Sequence, residues 1–174
     1  MATTYTLISS VTVGAGGAAN IEFTNIPQTY TDLVLKFSLR VNIAGAGSYN
    51  VGLRVNGNSS NIYNNIRLYK DSSTVFGAYS NTQSTALVGL ATAAGDTANT
   101  FASSEFYLPN YTSSNNKGGI TNTVHENNGN AQAFLASNLI ATTSAITSIE
   151  LLLTGVSYTI VQYSTAYLYG ISNA

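Results

Sequence analysis

The stretch Leu33-Val34-Leu35-Lys36-Phe37-Ser38-Leu39-Arg40-Val41-Asn42-Ile43 decides the fold. Its odd-numbered positions are all apolar, and after Val34 its even-numbered positions are all polar or charged. A period of two is the spacing of a strand with one buried face. Six apolar side chains on one parity also fix the register, because a slip of one residue would expose the whole set. Tyr49, Val51, Leu53 and Val55 repeat the pattern against Asn50, Gly52, Arg54 and Asn56, with Ala44 to Ser48 as the loop between the two strands. Asn56-Gly57 then supplies a turn of positive φ.

Working outward, β-branched and aromatic residues predict further strands at 4–13, 19–24, 62–71, 74–79, 100–108, 119–126, 131–141, 146–154 and 158–170. Breakers separate them at Gly14 to Gly17, Pro27, Asp71-Ser72-Ser73, Gly95-Asp96, Pro109 to Asn116 and Asn127 to Asn130. Short strands at this spacing predict an all-β fold, an antiparallel jelly-roll-like β-sandwich. Neither a composition break nor a repeat divides the chain, so 1–174 reads as a single β-sandwich domain. The apolar phase changes after Ile160, which predicts a bulge within the last strand. Ala86 to Ala94 offers at most a helical turn, weakened by its Gly and Thr. The region from Asn81 to Asn99 reads as a long loop and a candidate contact surface.

Charged residues are 7% of the chain and the net charge is −1, against about 25% charged residues in an ordinary soluble domain. Ser, Thr and Asn make up about a third of the residues, so the expected surface is polar and almost uncharged. Nucleic-acid binding is not expected, because phosphate neutralisation needs clustered Lys and Arg. Weak self-repulsion favours assembly. Cysteine is absent, which removes disulfides and thiolate metal sites. The first residues, Met1-Ala2-Thr3-Thr4, lack the basic and apolar regions of a signal peptide. No apolar run approaches the ~18 residues of a membrane span. Synthesis in a cytoplasm, without membrane association, is therefore expected.

The chemistry-bearing residues are sparse. His125 is the sole histidine, expected at the surface or a strand edge beside Glu126, with no nucleophile motif to make a triad. A histidine-based metal site lacks ligands. Of the acids, Glu105 and Glu126 are a pair that strand pairing can bring together as a hydrolase needs, although nothing singles them out from solvated carboxylates. Asp71-Ser72-Ser73-Thr74 has too few acids for calcium. Gly14-Ala15-Gly16-Gly17 lacks the Lys-Ser/Thr of a phosphate loop and reads as a hairpin turn. Asn58-Ser59-Ser60 and Asn110-Tyr111-Thr112 match the glycosylation pattern by chance in so Asn-rich a chain. The expectation is a non-enzymatic chain with no catalytic, cofactor-binding or metal residues. Tyr163, Tyr167 and Tyr169 share one parity on the last predicted strand, which makes them a candidate interface or sugar-stacking platform. Against that stands the ordinary reading, with the rings in the core.

Three segments carry a family resemblance: Tyr5-Thr6-Leu7-Ile8-Ser9-Ser10, Ile26-Pro27-Gln28-Thr29-Tyr30-Thr31-Asp32-Leu33-Val34-Leu35, and Tyr167-Leu168-Tyr169-Gly170-Ile171-Ser172. With the strand rhythm between them, the chain resembles small structural proteins of tailed bacteriophages, especially those of marine and cyanobacterial hosts. The resemblance implies a virion component: a capsid decoration or cement protein, a head fibre or spike, or a tail accessory. The implied partners are the major capsid protein and further copies of the chain, as a homotrimer. A compact cement role suits the absence of heptads or fibrous repeats. Such a protein must avoid premature edge-to-edge aggregation, and Pro27, Lys36, Arg40, Arg54 and Arg67 are candidates for that protection. The alternative is a carbohydrate-binding, receptor-recognition module of a tail or head fibre.

Overall fold

The computed structural model describes residues 4–71, 74–127, 129, 131–155 and 158–172. Twelve strands lie among them: β1 (Tyr5–Thr12), β2 (Asn20–Phe23), β3 (Asp32–Leu39), β4 (Ser48–Val55), β5 (Tyr63–Asp71), β6 (Thr74–Gln83), β7 (Ala86–Thr92), β8 (Ala102–Pro109), β9 (Lys117–Glu126), β10 (Ala131–Ile140), β11 (Ile149–Leu153) and β12 (Thr165–Ile171). An eight-stranded sheet of order β1-β12-β3-β8-β9-β10-β5-β6 packs on a four-stranded sheet of order β2-β11-β4-β7. All the strand pairs are antiparallel. The pairs β1·β12, β2·β11, β3·β8 and β4·β7 are nested in sequence, the mark of a jelly-roll-like sandwich.

The deciding alternation builds the core. Leu33, Leu35, Phe37 and Leu39 point from β3 into the space between the sheets, against Val51, Leu53, Val55, Ile149, Leu151 and Leu153. Burying each such side chain contributes about 1.5–3 kcal/mol. The alternation outlasts the strand for a topological reason. After Leu39 the chain leaves the large sheet: Arg40 bridges Thr92 and Val41 bridges Ile160, while Val41 and Ile43 stay buried.

Much of the region read as a loop is strand, and Ala93 to Asn99 carry the loop. β6 runs on to Gln83, and Ala86 to Thr92 form β7, buried at every residue. A strand covered on both faces shows a continuous apolar run, which periodicity cannot separate from a helical segment. Gly89 permits the close approach: a Cβ there would stand 2.5 Å from Ser104 Oγ and 2.8 Å from Phe37 Cζ. The expected bulge after Ile160 is a full break, because a turn at 161–164 precedes β12. Asn56 and Gly57 both have positive φ, as their turn requires. Gly14 to Gly17 also turn, closed by Gly17 N–H on Gly14 O at 3.0 Å. They carry the chain from one sheet to the other rather than joining a hairpin. Ser72 and Ser73 of the predicted turn lie outside the described residues.

Candidate functional site

The outer face of the eight-stranded sheet has two unlike halves. Along β9 the usual polarity is inverted, and along β10 and β5 polar residues point inward beside the apolar core residues Phe134, Ala136, Ile140 and Tyr63. Thr121, Thr123, His125, Asn138, Asn65 and Arg67 point inward, while Ile120, Val124, Leu135, Leu139, Ile66 and Leu68 point to solvent. Most of the inward polar groups have hydrogen-bond partners, as burial of a polar group requires, while Thr121 Oγ1 has none among the described residues. Thr123 Oγ1 donates to Ser104 Oγ at 2.8 Å, and Arg67 Nη1 donates to Asn65 Oδ1 and Ser80 Oγ at 2.9 and 3.0 Å. The outward groups form aligned rows through the pairing Ile120–Ser137–Ile66–Tyr79 and Asn122–Leu135–Leu68–Gly77. Ile66 is 68% exposed and Tyr79 74%. Four strands about 4.8 Å apart and some 30 Å long present roughly 600 Å² of flat area here. Contiguous apolar patches of a few hundred Å² mark contact sites.

The other half, over β12, β3 and β8, is polar. One cross-strand row reads Tyr167–Lys36–Glu105–Asn122. These residues, with Ser38, Ser103, Thr165 and Tyr169, line an open depression of about 500 Å³. Lys36 Nζ and Glu105 Oε2 are 2.8 Å apart and half exposed. The hydrogen bond to Glu105, then its charge, holds the Lys36 amine above its ordinary range. Tyr169 packs edge-on against Tyr5, with ring centroids 6.3 Å apart.

Of the three tyrosines read as one stripe, Tyr167 and Tyr169 share this face. Tyr163 does not belong with them. It sits in the turn before β12 at φ 70°, exposed, because the chain breaks where the sequence suggested a continuous strand. Glu105 and Glu126 do not converge. Glu105 faces Asn122, four residues from Glu126 along β9, which is about 13 Å, and it pairs with Lys36.

His125 is buried rather than at the surface, since its parity on β9 faces inward. Its Nε2 lies 3.4 Å from Asp96 Oδ2. Desolvation opposes ionisation of Asp96, but hydrogen bonds from Gly47 N–H, Asn127, Ala93 N–H and His125 outweigh it and hold the carboxyl below its usual range. Arg40, also buried, donates to the carbonyls of Ala94, Asp96, Thr97 and Thr100. Together these groups fasten the segment between β7 and β8. Lys117 does the same at the opposite end of β9. Its Nζ donates to the carbonyls of Ser113, Asn115, Thr142 and Ser144 at 2.6–3.1 Å. No cluster of three or more His, Asp or Glu able to hold a metal occurs among the described residues.

The apolar half-face was the feature missed from sequence. Ile66-Arg67-Leu68 and Ile120-Thr121-Asn122-Thr123-Val124 alternate like any strand, and alternation does not say which parity faces inward. Comparison with family models, curated proteins and solved structures gives no match to this chain.

Proposed function

We propose that the protein is a non-enzymatic assembly module, a decoration or cement protein that lays the outer face of its large sheet on the surface of a viral shell. The observation that carries this reading is the set of apolar side chains, Ile66, Leu68, Ile120, Val124, Leu135 and Leu139, that the large sheet turns to solvent. In a free monomer these exposed side chains forgo the free energy of burial, which a covering partner recovers. The whole four-strand face, roughly 600 Å² with its polar positions counted, approaches the ~800 Å² that each partner contributes to a standard interface. The near absence of charge matches a shell surface joined by apolar area and by Ser, Thr and Asn hydrogen bonds. The bacteriophage assignment rests on the resemblance of the three sequence segments. Antiserum to the purified protein, applied to density-gradient fractions of particles from the source culture, tests the reading. The protein is expected in the intact-particle band and to remain there through a moderate rise in salt. Its absence from particles, or release by modest salt, would count against the proposal.

The depression over β12, β3 and β8 supports the alternative of a carbohydrate-binding module. Tyr167 and Tyr169 offer ring faces or edges, and Lys36, Glu105 and Asn122 offer donors and acceptors to hydroxyl groups. On a glycan array this reading predicts a binder that Tyr167→Ala loses. An array with no binder would eliminate it.

A further inference from the structure

Among the described strands the two sheets have four edges, and three are blunted in different ways. β1 carries a bulge between Leu7 and Ser9. β2 is only four residues long. β7 lies buried, with its Leu87 main chain bonded by the Asn138 side chain. Bulges, short length and covering are the usual protections against strand addition. The fourth edge, β6, has none of them over Thr74 to Ser80. It is ten residues long and contains no Lys, Arg, Asp, Glu or Pro. Its irregularity lies beyond this segment, where Thr82 takes φ 53° and the register against β5 shifts. The cations expected to guard the edges are elsewhere. Lys36 and Arg54 lie on strands with neighbours on both sides, Arg40 is buried, and Arg67 points inward from β5. Pro27 lies between β2 and β3.

We propose that β6 is a self-pairing edge: two copies join β6 to β6 antiparallel about a two-fold axis at Gly77, making one continuous sixteen-stranded sheet. The occupant is a second copy because the strand is complementary to itself. With Gly77 opposite the partner's Gly77, Val75 faces the partner's Tyr79 on the outer side. Phe76, large, faces the partner's Ala78, small, on the inner side. Val75 and Tyr79 are 70% and 74% exposed, so both gain from the pairing. The glycines leave room for the Tyr79 rings. No charge of either sign meets its own copy along the strand. The join also makes the two apolar half-faces continuous, since Val75, Gly77 and Tyr79 pair with Lys70, Leu68 and Ile66 on that side. A two-fold contact of this kind closes at two copies. The dimer stands apart from the shell-binding reading and does not require it.

The chain lacks cysteine, so one introduced thiol reports the geometry without background. Directly opposed residues of an antiparallel pair have Cα atoms about 4.5–5.5 Å apart, within the range a disulfide spans. A Cβ at Gly77 meets only Leu68 Cδ2, at 3.6 Å, so Gly77→Cys is accommodated. Under mild oxidation Gly77→Cys is expected to convert to covalent dimer. Val75→Cys, whose copies stand about 13 Å apart in this register, is expected not to. Light scattering behind a sizing column, over the micromolar to millimolar range, should show monomer passing to dimer for the natural chain. It should show monomer alone for Val75→Lys/Tyr79→Lys, with an unchanged circular dichroism spectrum. A natural chain that stays monomeric throughout, or that forms a trimer, would overturn the proposal. So would a double variant that dimerises as before, or equal cross-linking of Gly77→Cys and Val75→Cys.

Discussion

The side-chain amide of Asn138 bonds both main-chain groups of Leu87: Leu87 N–H donates to Oδ1 at 3.1 Å, and Nδ2 donates to Leu87 O at 3.0 Å. Asn138 is on β10 of the large sheet and Leu87 on β7 of the small one. The amide therefore acts as a strand fragment on an edge that has no strand beside it, and it links the two layers of the sandwich.

Asn138→Leu removes both bonds and leaves a buried donor and acceptor unsatisfied, at a cost of about 1–3 kcal/mol. Asn138→Asp should cost more, because a carboxylate repels the Leu87 carbonyl and is buried as a charge. Urea unfolding checks both. Equal midpoints for Asn138→Leu and the natural chain would show that the amide is dispensable.

The lowered pKa of Asp96 gives the acid limb of the stability curve a sign. A carboxyl whose folded value lies below its unfolded one stabilises the fold above the unfolded value of about 3.9, and the contribution disappears as pH falls through the folded value. Asp96→Asn should therefore be less stable at neutral pH and lose less stability on acidification below about 4. Thermal melts across pH 7 to 2 measure this. Parallel curves for the two proteins would refute the assignment.

The strand pattern was legible wherever one face met the core and the other met solvent, as in Leu33 to Leu39. It failed at two kinds of place, both for physical reasons. β7 is apolar on both faces, so its sequence lacks a period. In β5 and β9 the period is clear but its direction is not, because Ile66 and Ile120 face outward while Asn65 and Thr121 face inward. His125 was misplaced for the same reason, as its neighbour Glu126 is exposed and adjacent strand residues face opposite ways. The Tyr167 and Tyr169 stripe was readable from parity alone. Its extension to Tyr163 failed because a turn within an apolar run leaves little trace in sequence.

Lys117 is 1% exposed and bonded to four carbonyls, and burial pushes its amine below the ordinary lysine range. Amine acylation of the folded protein, read by mass spectrometry, should modify Lys36 and leave Lys117 untouched until the chain unfolds. Lys117→Met should destabilise by at least about 1.5 kcal/mol, the lower end for a hydrogen bond to a charged group. Early acylation of Lys117 in folded protein would show that the loops around Ser113 and Thr142 open readily.

The most direct test of the central claim is the re-addition of purified protein to particles stripped of it, comparing the natural chain with Ile66→Lys/Leu135→Lys. Both positions are exposed, so the double variant should match the natural chain in stability to within about 0.5 kcal/mol per site. The natural chain is expected to rebind the particles, and the folded double variant is expected not to. A double variant that rebinds with unchanged affinity would contradict the assignment of the apolar half-face as the docking surface.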